Sequence, residues 1–213
     1  MATLANAETG QDLTESEHKS AGVLIIACGA LAREITAITA ANSLDHISLT
    51  CLPAILHNRP EKIPDAVRQA IREGRDRGFE RIVIAYADCG TGGYLDRVCE
   101  EEKVTRIAGP HCYAFFSGTD DFLARDDADM DAFFLTDFLA KQFEAFIVEP
   151  LGLDRHPELR DAYFGNYKKL VYLVQVEDAA LEANARAAAE WLGLAFEKRV
   201  TGYGDLADFV RGV

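Results

Sequence analysis

Two short apolar runs that each lead into a cysteine and a glycine constrain the fold of this chain most. Residues 23–27 (VLIIA) run directly into Cys28-Gly29, and residues 82–86 (IVIAY) are followed, after Ala87 and Asp88, by Cys89-Gly90. A segment with helical spacing of apolar residues follows each glycine. A buried strand, a tight turn at glycine and a helix form the βα unit of a parallel sheet. The two runs therefore predict an α/β protein.

The rest of the chain continues the alternation of strands and helices. Further strands are predicted at 46–52, near 104–108, at 169–176 and at 195–200. Helices are predicted at 64–77, 94–102, 129–148, 157–165, 178–192 and 205–211. This order predicts a three-layer sandwich with a mainly parallel, Rossmann-like central sheet. A length of 213 residues fits a mobile acidic tail at 1–20 and a single α/β domain at 21–213.

The strongly acidic composition limits the classes of partner. The formal net charge is −13, which repels phosphate backbones and anionic lipid surfaces. No apolar stretch approaches the roughly 18 residues that span a bilayer, and no secretory signal begins the chain. We therefore expect a cytoplasmic protein that binds neither nucleic acid nor membrane. In that compartment the five cysteines are expected to be thiols.

Three cysteines are predicted to meet at one edge of the sheet. Cys28 and Cys89 end strand regions, and Cys112 follows a third short apolar run within Gly109-Pro110-His111-Cys112. They are 61 (89 − 28) and 23 (112 − 89) positions apart, yet ligands in open parallel sheets bind outside the carboxyl ends of the strands. With His57, from the loop after another strand, three thiolates complete a tetrahedral zinc site or leave one position open. An iron–sulfur cluster held by the same cysteines is the alternative.

Simpler structural roles compete with these assignments. Cysteine replaces serine or alanine at tight turns, and a loop histidine such as His57 often binds backbone. His111 is expected to face solvent. Cys51 and Cys99 are expected to be small buried hydrophobic residues, and Glu34 a surface carboxylate.

The glycine-rich turn at residues 88–93 (DCGTGG) suggests a second kind of site. Glycine lets backbone N–H groups approach a ligand, so Gly29, Gly90, Thr91 and Gly92 are candidate cofactor-binding residues. Nucleotides and S-adenosylmethionine are held by such turns. The spacing differs from the dinucleotide motif G-x-G-x-x-G, however, and no acidic residue ends the next strand.

Four local motifs together resemble a known family. They are CGALxxE at 28–34, LPxxLHN at 52–58, YxxCGxG at 86–92 and HCxxFFxG at 111–118. This combination resembles the bacterial and archaeal family called domain of unknown function 1638, over most of residues 22–175. The resemblance picks out Cys28, His57, Cys89 and Cys112, and it implies a partnership with corrinoid-dependent methyl-transfer systems.

These observations lead to one main functional hypothesis and two alternatives. The main hypothesis is a metal-binding protein in corrinoid-linked one-carbon metabolism, an enzyme of metal-dependent methyl transfer or a related step. It would take a small-molecule substrate, with a corrinoid protein or methyltransferase as partner and a homodimer as assembly. One alternative is a non-catalytic accessory protein that binds a metal, a cofactor or a methyltransferase. The other is a metal-free enzyme with a cysteine nucleophile.

Overall fold

A computed structural model of the protein describes residues 22–213, in two compact units. Unit 1 contains residues 22–86, residues 91–106 and Val213, and unit 2 contains residues 87–90 and 107–212. The predicted tail at 1–20 lies outside the described residues. Each unit is described by itself, and the single α/β domain over 21–213 stays a prediction.

Unit 1 is built on a parallel sheet of four strands. The strands are β1 (Val23–Cys28), β2 (Ile47–Leu52), β3 (Arg81–Ala85) and β4 (Thr105–Arg106), in the spatial order β2-β1-β3-β4. The helices are α1 (Ala32–Ala41), α2 (Ile63–Asp76) and α3 (Tyr94–Glu102), with 3-10 turns at Gly29–Leu31, Ala54–Asn58 and Pro60–Lys62. In register, Ile25 of β1 lies between Leu49 of β2 and Val83 of β3.

The strand order of unit 1 reverses direction between β1 and β3. The chain moves from β1 outward to β2 and then crosses back to β3 and β4 on the other side. Right-handed crossovers, the general rule, place α1 on one face of the sheet and both α2 and α3 on the other. The salt bridges from Arg68 and Arg75 of α2 to Glu102 of α3 agree with this placement. Unit 1 is therefore doubly wound, with its topological switch point at the carboxyl ends of β1 and β3.

The central position of β1 explains why its sequence is continuously apolar. Residues 23–27 are buried, because β1 has a strand on each side and helices on its faces. On α2, Val67, Ala70 and Ile71 form the buried stripe. A Cβ at Gly74 would lie 2.5 Å from a methyl group of Leu24, so glycine here lets α2 approach the sheet closely.

Unit 2 contains a second parallel sheet, of three strands. The strands are β5 (Ala132–Thr136), β6 (Lys169–Val174) and β7 (Ala195–Val200), with β6 in the middle. The helices are α4 (Cys112–Ser117), α5 (Thr119–Ala124), α6 (Asp126–Asp129), α7 (Asp137–Lys141), α8 (Arg160–Phe164), α9 (Ala179–Leu192) and α10 (Gly204–Arg211). A π-helical turn spans Glu144–Val148, and a 3-10 turn spans Pro157–Leu159.

A buried carboxylate links two strand ends of unit 2. The Tyr172 hydroxyl donates to one oxygen of Asp137 (2.8 Å), and the Val176 backbone N–H donates to the other (2.9 Å). The Asp137 backbone N–H in turn donates to Oε1 of Gln175 (2.8 Å). Each of these buried polar groups thus has a partner, as the low-polarity interior requires.

The α/β class and the parallel strands are confirmed, and two details differ from the predictions. The strands form two sheets in the described residues and not one. The predicted helix at 129–148 is wrong at its start, because residues 132–136 form strand β5. A short apolar run such as AFFLT fits both the helical and the strand spacing of apolar residues. Only pairing with a neighbouring strand decides which structure forms.

Candidate functional site

Cys28 is the last residue of β1 and lies at the switch point of unit 1. Its backbone is extended (φ −64°, ψ 136°), and its side chain is partly buried. The next residue, Gly29, lies close to the backbone at the end of β2. A Cβ there would lie 3.0 Å from the Leu52 carbonyl oxygen and 3.2 Å from the Ala54 nitrogen. Close packing therefore accounts for this glycine without a ligand.

The environment of Cys28 acts on its sulfur in two opposing directions. Burial raises the pKa of the Cys28 thiol and is the larger effect. Hydrogen bonding from the backbone of Ala30 and from the phenol of Tyr86 lowers the same pKa, because both favour the thiolate. Tyr86 directly follows β3, is almost fully buried, and comes next to Cys28 in the strand register. Burial outweighs the two hydrogen-bonding effects, so the pKa of the Cys28 thiol lies above its ordinary value.

Cys89 and Cys112 are brought together within unit 2. The Asp88 backbone N–H donates to the Gly109 carbonyl (3.1 Å), and the Cys89 backbone N–H donates to the Pro110 carbonyl (2.9 Å). The two loops thus run side by side, and Cys112 begins α4 two residues after Pro110. The backbone hydrogen bonds fix the two loops beside each other, and the meeting of the three cysteine sulfurs stays a prediction.

Tyr113 lies close to both of these sulfurs. Burial raises the pKa of the Tyr113 phenol, and the negative charges of the Cys112 and Cys89 thiolates raise it further. Its ring stacks on Phe134, with 5.5 Å between centroids. The phenol therefore stays protonated and available as a hydrogen-bond donor beside the two sulfurs.

His111 and Asp88 flank the same pair of loops. Partial burial lowers the pKa of the His111 imidazole, and the Asp88 carboxylate opposes that effect. His111 is exposed, as the sequence predicted. The pair places one carboxylate and one imidazole beside Cys89 and Cys112.

The backbone of Cys89 adopts a conformation that L-residues rarely use. Its φ is +50°, and Gly90, Gly92 and Gly93 after it also have positive φ. A left-handed conformation at a non-glycine residue costs roughly 1–2 kcal/mol, and such strain concentrates at functional sites. Glycine adopts this conformation without strain, yet position 89 is occupied by cysteine.

The glycine-rich turn at residues 88–93 leads into α3 and caps its first turn. Thr91 is buried, and its Oγ1 accepts from the Leu95 backbone N–H at 3.4 Å. Gly93 is the N-cap of α3, and a Cβ at Gly92 would meet no atom within 4 Å. The turn chemistry explains these residues, and a cofactor-binding role for Gly29, Gly90, Thr91 and Gly92 stays a prediction.

The remaining candidate residues occupy varied environments in unit 1. His57 is exposed in the 3-10 turn after β2. Cys99 is buried in α3, as predicted. Cys51 is exposed, contrary to prediction, because β2 is the edge strand of its sheet. Glu34 is buried in the first turn of α1 and not on the surface as predicted.

Among the side chains that the structure describes, no group of three or more His, Cys, Asp or Glu is arranged to hold a metal ion. Cys89 and Cys112 belong to unit 2, whereas Cys28 and His57 belong to unit 1. Thiolate and imidazole are the donors that zinc prefers, so the chemistry of this set fits the metal. The three-cysteine site stays a prediction.

Comparison with known proteins identifies the family. A sequence model described as "Protein of unknown function (DUF1638)" matches residues 51–210. The chain belongs to this family. The DUF1638 match contains His57, Cys89 and Cys112, but Cys28 lies before it, so the resemblance reaches less far towards the start than expected. No curated protein and no solved structure matches the chain. Across residues 22–213, the helices are too short or too polar to cross a bilayer.

Two residues of this DUF1638 protein were missed by reasoning from sequence alone. The phenol of Tyr86 lowers the pKa of the Cys28 thiol, and the thiolates of Cys112 and Cys89 raise the pKa of the Tyr113 phenol. Tyr86 is the first residue of the motif YxxCGxG, whereas Tyr113 occupies an unspecified position of HCxxFFxG. Tyr86 ends an apolar strand region where a phenol is costly to bury without a partner. The apolar surroundings of Tyr86 in the sequence were therefore the signal for a functional phenol.

Proposed function

We propose that this DUF1638 protein binds a metal ion through the sulfurs of Cys28, Cys89 and Cys112, with His57 as a fourth ligand or an open position. The observation that carries the proposal is the side-by-side fixing of the Cys89 and Cys112 loops by two backbone hydrogen bonds. Thiolates held in pairs on short loops are the usual donors of protein zinc sites. Zinc is the metal proposed, with an iron–sulfur cluster as the alternative.

The state of Cys28 favours a metal ligand over a metal-free nucleophile. A nucleophilic cysteine needs a lowered thiol pKa, whereas burial raises the pKa of Cys28. A ligand cysteine gives up its proton only when the metal binds, so a raised pKa without metal is compatible with that role. The strained Cys89 and the phenol of Tyr113 beside it support a functional use of the second cysteine.

The proposed reaction is methyl transfer or a related one-carbon step. Zinc held by Cys28, Cys89 and Cys112 with one open position would supply Lewis-acid activation of a thiolate or water ligand. The chain would contribute three charged sulfurs, the phenols of Tyr86 and Tyr113 as donors, and the Asp88–His111 pair for proton handling. The link to a corrinoid protein or methyltransferase rests on the family resemblance, and a small-molecule substrate is part of the same proposal.

Metal analysis of the full chain, purified without oxygen, tests the proposal. We expect about one zinc ion per chain, or several irons with visible colour if a cluster is present. Cys89→Ala and Cys112→Ala should each lose the metal, and Cys28→Ala should lose it or bind it much more weakly. Cys99→Ala is the matched control, since Cys99 lies in α3 and is outside the proposed ligand set.

Two outcomes would contradict the proposal. A wild-type chain that contains no metal and takes up neither zinc nor cobalt(II) would exclude the site. Equal metal loss in Cys99→Ala and Cys89→Ala would show that general damage, and not a lost ligand, explains the effect.

A further inference from the structure

We propose that two copies of this chain associate by antiparallel pairing of their β7 strands, which joins the two sheets of unit 2 into one continuous sheet. The proposal gives the expected homodimer a specific surface and a specific register. It goes beyond the metal site and does not depend on it.

β7 is an edge strand, and some of its backbone groups face away from its sheet. Among the described strands it pairs only with β6. The Ala195 and Thr201 N–H groups each donate to a carbonyl at one end of β6, at 3.0 Å. Backbone groups alternate in direction along a strand, so the odd-numbered residues of β7 face β6. The open edge therefore presents the N–H and carbonyl groups of Phe196, Lys198 and Val200.

This open edge can accept a second copy of β7 on a two-fold axis. In an antiparallel pair, outward-facing residues of one strand lie opposite outward-facing residues of the other. An axis at Lys198 places Phe196 opposite Val200 of the second copy, with about six backbone hydrogen bonds formed in total. Val200 is 64% exposed in the single chain, so this contact would remove an apolar side chain from water.

The same register places opposite charges together. Glu197 lies directly opposite Arg199 of the second copy, and each such cross-strand pair is favourable. A shift of two residues in either direction would place Glu197 opposite Glu197, or Arg199 opposite Arg199. A shift of one residue would place outward-facing residues opposite inward-facing ones. The charges of β7 therefore select the register with its axis at Lys198.

Lys198 itself lies at the axis, opposite its own copy. Its Nζ is 2.7 Å from a carboxylate oxygen of Glu182 and 3.6 Å from one of Glu177. These carboxylates balance the two ammonium groups that would meet at the axis. A lysine on an edge strand opposes pairing with unrelated strands. The edge is therefore suited to a partner that brings its own carboxylates to the axis, as a second copy does.

The first test measures the mass of the full chain in solution by sedimentation equilibrium. We expect a dimer of the 23.4 kDa chain for wild type, and a folded monomer by circular dichroism for Lys198→Pro. Proline removes the outward N–H of residue 198 and leaves the bonds to β6 in place. Cys51→Pro is the matched control and should remain a dimer. Cys51 is exposed on β2, an edge strand of the other sheet, and its N–H faces away from β1.

Two results of this experiment would overturn the proposal. A wild-type chain that stays monomeric at concentrations up to about 100 μM would leave the edge of β7 to a different partner. A dimer that Lys198→Pro leaves intact would mean that the copies meet at another surface.

Glu197→Arg tests the charge matching. The variant places like charges opposite each other at two symmetric positions, so the dissociation constant of the dimer should rise about 10-fold or more. Asp208→Arg is the matched control, because it makes the same change in net charge at an exposed position of α10. Equal effects of the two variants would show that net charge, and not the pairing of Glu197 with Arg199, governs association, and would overturn the proposed register.

Disulfide trapping tests the position of the axis. Opposite residues of a hydrogen-bonded antiparallel pair have Cα atoms about 5.5 Å apart, which is within disulfide range. Lys198→Cys should therefore form a disulfide-linked dimer on mild oxidation, with the cross-linked peptide identified by mass spectrometry. Val200→Cys is the control, since residue 200 would lie about 14 Å from its copy, too far for a disulfide. Equal cross-linking of both variants, or none in Lys198→Cys, would overturn the proposal.

Discussion

The Asp129 carboxylate makes several hydrogen bonds that stabilise the folded protein. Arg199 donates to both of its oxygens (2.6 and 2.8 Å), and Lys169 donates at 2.8 Å. The hydrogen bonds from the Arg199 guanidinium are the main reason why the pKa of this carboxyl lies well below its usual range. A lowered pKa means that the unfolded chain takes up the proton first. The stabilisation is therefore present above the ordinary value near 3.9 and is lost as the pH falls below it.

We predict that Asp129→Asn lowers the free energy of unfolding by roughly 2 kcal/mol at pH 7, since Arg199 and Lys169 lose the carboxylate that both of them bind and keep the more exposed Glu197. Urea unfolding at pH 7 and at pH 3 measures this, and the difference between variant and wild type should shrink at pH 3. Asp208→Asn is the control, because the Asp208–Arg211 pair is exposed and should be worth less than about 1 kcal/mol. A difference that is equally large at both pH values would show that the charge of Asp129 is not responsible.

Sequence reasoning located strand-end residues well and side-chain environments less well. Cys28 and Cys112 follow short apolar runs, so their places could be predicted from pattern alone. The exposure of Cys51 could not, because it depends on which strand is at the edge of the sheet. The burial of Glu34 could not either, because it depends on the tertiary packing of α1. The proximity of Tyr86 to Cys28 could not be predicted either, because it follows from the register of β1 and β3.

At the scale of elements, Gly204 controls the packing of α10 against α4, the helix that begins with Cys112. Its φ is +46°, and an added Cβ would collide with the carbonyl oxygens of Phe115 and Phe116. We predict that Gly204→Ala lowers the free energy of unfolding by roughly 2–4 kcal/mol, from strain and collision together. Thermal or urea unfolding measures the loss.

Gly193→Ala separates the two causes of that loss. Gly193 ends α9 with φ +73°, and a Cβ there would meet no atom within 4 Å. Only backbone strain applies, so a loss of about 1 kcal/mol is expected. Equal losses in the two variants would mean that the close approach of α10 to α4 contributes nothing.

The elements that were predicted correctly carry their own end signals. The helix at 94–102 was predicted with its observed ends, and α9 lies between the capping side chain of Asp178 and the left-handed Gly193. β5 was missed because Phe133, Phe134 and the later phenylalanines suggested one long helix. Thr136 did carry a signal, since its Oγ1 accepts from the Leu139 backbone N–H and begins α7 after the strand.

For the whole molecule, the strand pattern predicted parallel pairing but not its division into two sheets. β4 has two residues and, among the described strands, pairs only with β3, so the first sheet ends there. The chain then begins a second sheet at β5. Local sequence does not encode where one sheet stops, because pairing partners are set by contacts between distant segments.

The net charge of −13 gives a prediction for the whole chain. Mutual repulsion of the excess carboxylates opposes folding at pH 7, and salt screens that repulsion. We predict that raising NaCl from about 10 mM to about 150 mM, where the Debye length is near 8 Å, increases the unfolding midpoint by about 2–4 °C. Exposed ion pairs weaken in the same salt, but each contributes little. Near the isoelectric point of about 4.8 the excess charge is gone, so the same salt step should leave the midpoint unchanged or lower it. An equal rise at both pH values would show that general salt effects, and not the acidic excess, determine the response.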